Sequence, residues 1–109
     1  MKFRILDELV EMVGRVHSLA TTVGRHDGDL AKQMKRSSAS VGLNAGEGLG
    51  GQKGNRTASL ESAMCSGRET IMALRISGAG GYLEGDAVAE EVKRIDRLVG
   101  GLYRLAYRR

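Results

Sequence analysis

The sequence predicts an all-α protein, an antiparallel up-and-down four-helix bundle, and three observations predict it. Apolar residues recur at spacings of three and four in four separate stretches. No stretch shows the sustained two-residue alternation and β-branched enrichment of a half-buried strand. The breaks between stretches are short and rich in glycine, so consecutive helices are expected to lie side by side and run in opposite directions. At 109 residues the chain is expected to form one domain, and its 41% hydrophobic and 28% charged composition is that of a folded protein.

The first helix is predicted over about 2–24, where Ile5, Leu9, Met12, Val16, Leu19 and Val23 form its seam. Leu6, Val10, Val13 and Ala20 widen that stripe beyond what one small interior absorbs, and leftover apolar surface points to a homo-oligomer. Gly24-Arg25-His26-Asp27-Gly28 is a loop, and Asp27 or Asp29 caps the second helix, predicted over about 29–49. Its seam of Leu30, Met34, Ser37, Val41, Ala45 and Gly48 is the poorest in bulk. Gly50 to Arg56 reads as a mobile loop. The third helix, over about 57–78, carries Leu60, Met64, Gly67, Ile71 and Leu74, and Gly78-Ala79-Gly80-Gly81 closes it. Tyr82 and Leu83 are expected to pack back on the bundle end. The fourth helix, over about 86–108, keeps Val88, Val92, Ile95, Val99 and Leu102 in register, with Leu98 and Leu105 beside them. Gly42, Gly46, Gly48 and Gly67 fall on helical seams, where they exchange helix propensity for close packing.

Composition excludes several classes of function. No apolar run approaches the ~18–20 residues of a membrane span, so no membrane partner is expected. The opening Met1 to Glu8 meets acid before a signal-peptide core forms, and the single Cys65 has no internal partner. A reducing cytoplasm is the expected location. His17, His26 and Cys65 lack metal-ligand spacing, so neither metal nor cofactor is expected. Gly46-Glu47-Gly48-Leu49-Gly50-Gly51 matches G-x-G-x-x-G in letters only, because it ends a helix rather than joining a strand to one. No nucleophile, acid–base pair or metal constellation emerges, and the protein is read as a non-enzyme. Glu47, an acid near a helix C-terminus, opposes the helix dipole and is expected to pair with an arginine such as Arg36, Arg68 or Arg75.

The net charge of +4 is clustered. Lys32, Lys35, Arg36, Lys53 and Arg56 face only Glu47 in their stretch, and Lys93, Arg94, Arg97, Arg104, Arg108 and Arg109 face only Asp96. Such clusters suit a phosphate backbone, and they also suit a solvated helix face. Tyr103 and Tyr107, one turn apart with arginines between them, are able to stack on bases. The simpler expectation is that these tyrosines cover the core at the helix end.

The segment from Gln33 to Gly48, Q-M-K-R-S-S-A-S-V-G-L-N-A-G-E-G, resembles a signature of the bacterial four-helix-bundle family encoded in ribosomal RNA intervening sequences. That signature typically reads Q-L-R-R-A-A-x-S-I-P-x-N-I-A-E-G and is followed by a basic loop. Asn44, Glu47 and Gly48 carry its most specific part. Ala63, Ser66 and Glu69 resemble the family's A-x-G-S-x-x-E run, and Gly81-Tyr82-Leu83 its L-G-Y-L turn. Gly42 stands where proline is common, Cys65 where glycine is usual and Gly67 where a larger residue is frequent. The aromatic-rich start is missing, so the resemblance is to a divergent member. It implies a homopentamer with a basic surface. A related branch, the accessory protein of diversity-generating retroelements, binds nucleic acid and a reverse transcriptase. The expectation is therefore RNA or DNA binding through Lys32, Lys35, Arg36, Lys53, Arg56, Arg104, Arg108 and Arg109, possible company for a reverse transcriptase, and a protein-interaction scaffold as the alternative.

Overall fold

A computed structural model describes residues 4–51 and 56–108. Four helices account for nearly all of them: α1 (Arg4–Gly24), α2 (Gly28–Gly50), α3 (Arg56–Ala79) and α4 (Gly85–Tyr107). There is no strand among the described residues. Lys53, Arg109 and most of the glycine-rich loop, at 52–55, lie outside the described residues, as does the predicted start of the first helix at 2–3.

Local chemistry sets the helix ends. The Asp27 carboxylate accepts the Leu30 amide at 3.0 Å and satisfies one of the orphan N–H groups that open α2. At the close of α3 the Tyr82 amide reaches the Ser77 carbonyl at 2.9 Å and the Gly81 amide reaches Gly78 at 3.1 Å. That pair of bonds needs a left-handed residue between them, which Gly81 supplies at φ +80°. Tyr82 then folds back as its position predicts, and its ring stacks on His26 at 5.0 Å between centroids, joining the two turns at that end.

The core follows the predicted stripes with one shift. Leu9, Met12, Val16, Ala20 and Val23 of α1 share one buried cluster with Met34, Val41 and Ala45 of α2 and Leu60, Met64 and Leu74 of α3. In α4 the buried register is Val88, Glu91, Ile95, Leu98 and Leu102, whereas Val92 and Val99 lie at its half-buried margin. The stripe predicted through Val92 and Val99 is thus rotated, and its buried line contains an acid. Ile71 is likewise marginal on α3.

α2 packs against α1 and α3, and α4 against α3 and α1, so α2 and α4 are diagonal. The α2–α3 contact is the most extensive and is polar. Ser37 Oγ meets Thr70 Oγ1 at 2.8 Å, and Ser66 Oγ donates to Ser40 Oγ at 2.9 Å. Numbering falls along α3 as it rises along α2. Thr70 and Ser77 also donate to carbonyls one turn back, both at 2.9 Å, so no buried side-chain polar atom among the described residues lacks a partner.

Among the seam glycines, Gly48 and Gly67 are close-approach points. A Cβ at Gly48 would lie 3.1 Å from Leu60, and one at Gly67 only 2.7 Å from Val99 Cγ2. Gly42 has an ordinary 3.8 Å neighbour in Val13. Gly46 is a correction, since a Cβ there would meet nothing within 4 Å. It turns away from the neighbouring helices, and its glycine is not required by packing within this chain. Gly46→Ala is therefore expected to stabilise by about 0.5–1 kcal/mol through helix propensity. Gly67→Val should destabilise by about 1–3 kcal/mol, because the stiff Val99 side chain has to move. Urea unfolding of both variants checks the opposite signs.

Candidate functional site

The thinnest contact in the bundle is between α1 and α4. A groove of about 480 Å³ opens there, lined by Ile5, Glu8, Glu11 and Arg15 of α1 and by Arg94, Arg97, Leu98, Gly101 and Arg104 of α4. Gly101 keeps the lower end narrow, since a Cβ on it would stand 3.0 Å from Ile5 Cδ1. Across the groove Arg15 grips Glu91 with both ends of its fork, Nε to Oε1 at 2.8 Å and Nη2 to Oε2 at 3.0 Å. Glu91 is only 3% exposed, and Arg94 Nη1 stands 3.8 Å from the same carboxylate. Its hydrogen bond to Glu91 raises the Arg15 pKa above the ordinary guanidinium value, against the opposing effect of burial. Arg15 is therefore a permanent cation with a partner.

Glu91 and Arg15 were missed by sequence reasoning. The signal was present: positions 88, 91, 95, 98 and 102 have the three–four spacing of a core stripe, and Glu91 is its charged member. A carboxylate on a core stripe implies a cation from a facing helix.

The arginines of α4 differ in how far they are committed. Arg94 bonds Glu90 at 3.1 Å and leans toward Glu91. Arg97, Arg104 and Arg108 are exposed and make no ion pair among the described residues. Arg104 lies back over the bare backbone of Gly100 and Gly101, where a Cβ would stand 3.7 Å and 3.8 Å from its guanidinium nitrogens. With Lys93, they give the outer face of α4 from 93 to 108 a cationic character broken only by Asp96.

The other predicted contact residues lie elsewhere. Lys32, Lys35 and Arg36 are exposed on α2, diagonal to α4, and the Lys35 carbonyl is 3.3 Å from His17 Nε2. Arg56 opens α3 and is brought to the end of α4, because its neighbour Thr57 donates to the Ala106 carbonyl at 3.4 Å. The fold thus brings the start of α3, with Arg56, beside the C-terminal end of α4, keeps Arg104 on the α1 side, and leaves the α2 cations apart.

The signature residues divide by role. Asn44 Nδ2 donates to the Ser40 carbonyl at 2.9 Å and to Ser40 Oγ at 3.0 Å, extending the Ser66 bond across the α2–α3 seam. Gly48 is buried against α3. Glu47 and Glu69 are exposed without an ion pair among the described residues, so the arginine partner expected for Glu47 is not found there. Solvent offsets the unfavourable dipole at that exposed position. Tyr103 and Tyr107 depart from expectation too, being 57% and 47% exposed instead of covering the core. The register that buries Leu98 and Leu102 turns both rings outward.

Among the described residues no helix is long and apolar enough to cross a membrane. No group of three His, Cys, Asp or Glu there is placed to hold a metal ion. No protein-family profile and no curated protein matches the chain. The fold is similar to that of a protein with unknown function from the S23 ribosomal protein family of Bacteroides thetaiotaomicron, with a TM-score of 0.87. The two share 19% identity over 94% of this chain and 98% of that one, a likeness of fold.

Removing either half of the buried pair has unequal consequences. Arg15→Ala strands Glu91 beside Arg94 alone and is expected to cost about 2–4 kcal/mol. Glu91→Gln still accepts from Arg15, which also reaches water, and is expected to cost about 1–2 kcal/mol. Chemical denaturation of the two variants measures the order.

Proposed function

We propose that the protein is a non-enzymatic, oligomeric nucleic-acid-binding bundle that contacts RNA or DNA through basic surfaces. The observation that carries this reading is the outer face of α4, where exposed Arg97, Arg104 and Arg108 are left without carboxylate partners among the described residues. Arg97 to Arg108 spans eleven residues, about 16 Å of helix, a length that follows several phosphates of one strand. Arg56 opens α3 beside the C-terminal end of α4, and Lys32, Lys35 and Arg36 are exposed on α2 as a second surface. Lys53 and Arg109 belong to the reading by sequence and lie outside the described residues.

The reading includes an antiparallel up-and-down arrangement, supported by cross-helix pairs whose numbers run in opposite senses: Ser37 with Thr70 and Ser40 with Ser66. It includes self-association, supported by Val10 and Leu43, 69% and 75% exposed on neighbouring helices. The resemblance to the intervening-sequence family adds a homopentamer and an accessory role beside a reverse transcriptase or another nucleic-acid enzyme, and the single Cys65 supports a reducing cytoplasm as the location. The exposed Val10 and Leu43 also favour the second reading, an oligomeric scaffold for proteins that binds no nucleic acid.

A mobility shift with structured RNA and duplex DNA tests the main reading, and no shift at low salt overturns it. With about four phosphate contacts, affinity should fall about a hundredfold between 50 and 200 mM salt. Arg97→Ala and Arg104→Ala should each lower the slope of log affinity against log salt by about 0.9. Sedimentation showing a clean monomer would remove the oligomer, and Leu43→Glu is expected to shift an oligomer toward monomer.

A further inference from the structure

We infer that Tyr103 and Tyr107 form a base-stacking platform, and that the ligand of the α4 face is a single-stranded segment rather than a duplex. This rests on the proposed nucleic-acid binding and names the form of strand it takes. Both rings stand in solvent on the last turns of α4, at 57% and 47% exposure, where the buried register leaves them no place in the core. Their centroids are 4.7 Å apart with planes tilted by 59°, so the edge of one ring rests against the face of the other, and the exposed outer side of the pair is what a base can stack on. Tyr107 is held in place, because its hydroxyl donates to Glu61 of α3, and that bond raises the phenol pKa above its ordinary value. The bond orients the ring.

The tyrosines and arginines occupy opposite margins of one face. Tyr107 meets α3 through Glu61, whereas Arg97 and Arg104 line the groove on the α1 side. Between them Gly100 presents no side chain. A strand laid along α4 has its phosphates over the arginines and its bases turned toward the tyrosines. With 4.7 Å between their centroids the two rings form one continuous aromatic surface, the size for one or two bases of a strand. Every base has a π-face, so the platform is indifferent to sequence. A duplex hides those faces in its own stack and offers this surface only phosphates. The face therefore takes single strands of either sugar, by charge from one side and by stacking from the other.

The test compares fluorescein-labelled oligo(U) and oligo(dT) 20-mers with a blunt 20-base-pair DNA duplex, by anisotropy at low salt. The intact protein should bind both single strands more tightly than the duplex. Tyr103→Ala/Tyr107→Ala should weaken single-strand binding about ten- to a hundredfold and change duplex binding less than twofold. Tyr103→Phe/Tyr107→Phe keeps the rings and should stay within about threefold of the intact protein on single strands. The chain has no tryptophan, so tyrosine emission reports directly, and Tyr82→Phe removes the one background ring without affecting binding. Saturating oligo(dT) should then quench most of the remaining emission, which keeps the proposal testable if the double alanine variant fails to fold. Equal loss on all probes, or no loss and no quenching, overturns the platform while leaving nucleic-acid binding in place. No binding to any probe overturns both. Loss confined to oligo(U) or to oligo(dT) overturns the indifference to sugar.

Discussion

The bundle depends on how closely α2 approaches α3. Gly48 admits Leu60 at a distance where a Cβ would touch it, and Ser37, Ser40, Ser66 and Thr70 meet across the seam at 2.8–2.9 Å. Small hydroxyl side chains make this contact possible, since each satisfies its own hydrogen bonding inside the seam and none holds the backbones apart. The cost is bulk. Each serine or threonine on this seam takes a position that an apolar side chain would otherwise fill, and the core is completed by Leu9, Met12, Val16 and Val23 of α1 and by Val88, Ile95, Leu98 and Leu102 of α4.

That division makes the bundle a wedge, close on the α2–α3 side and thin on the α1–α4 side. The thin side opens the groove, and the Arg15–Glu91 pair spans it where apolar packing is sparse. A bidentate pair of this kind contributes register more than strength, because desolvating the carboxylate offsets most of the attraction. It leaves α4 fixed relative to α1 with Arg97, Arg104 and Arg108 facing outward, and with the tyrosines on the other margin. The surface chemistry proposed for this protein is thus a consequence of how α4 is turned about its own axis.

That rotation also explains where sequence reading stopped short. Val88, Val92, Ile95, Val99 and Leu102 and the actual line of Val88, Glu91, Ile95, Leu98 and Leu102 both satisfy helical spacing, and hydropathy favours the first. The choice was made by Gly67, which lets Val99 approach α3 from the margin, and by Arg15, which gives Glu91 a partner. Once that choice is made, Tyr103 and Tyr107 leave the core. The same limit applies to Gly46 and Glu47, whose positions on the spacing pattern say nothing about which neighbour faces them.

The sequence by itself determined that there are four helices, where their breaks fall, and that the seam of the second is poorest in bulk. Those properties are local: apolar periodicity, an Asp27 cap, and a glycine able to adopt φ +80° at position 81. It also placed the cations on particular helices. Which cations share a surface was decided only by tertiary structure, because α2 and α4 are diagonal and a stretch of charge on each does not add to one patch. The same holds for the buried Glu91 and the exposed tyrosines. A helix's period tells which residues lie on a common side, and only contact with its neighbours decides which side turns inward.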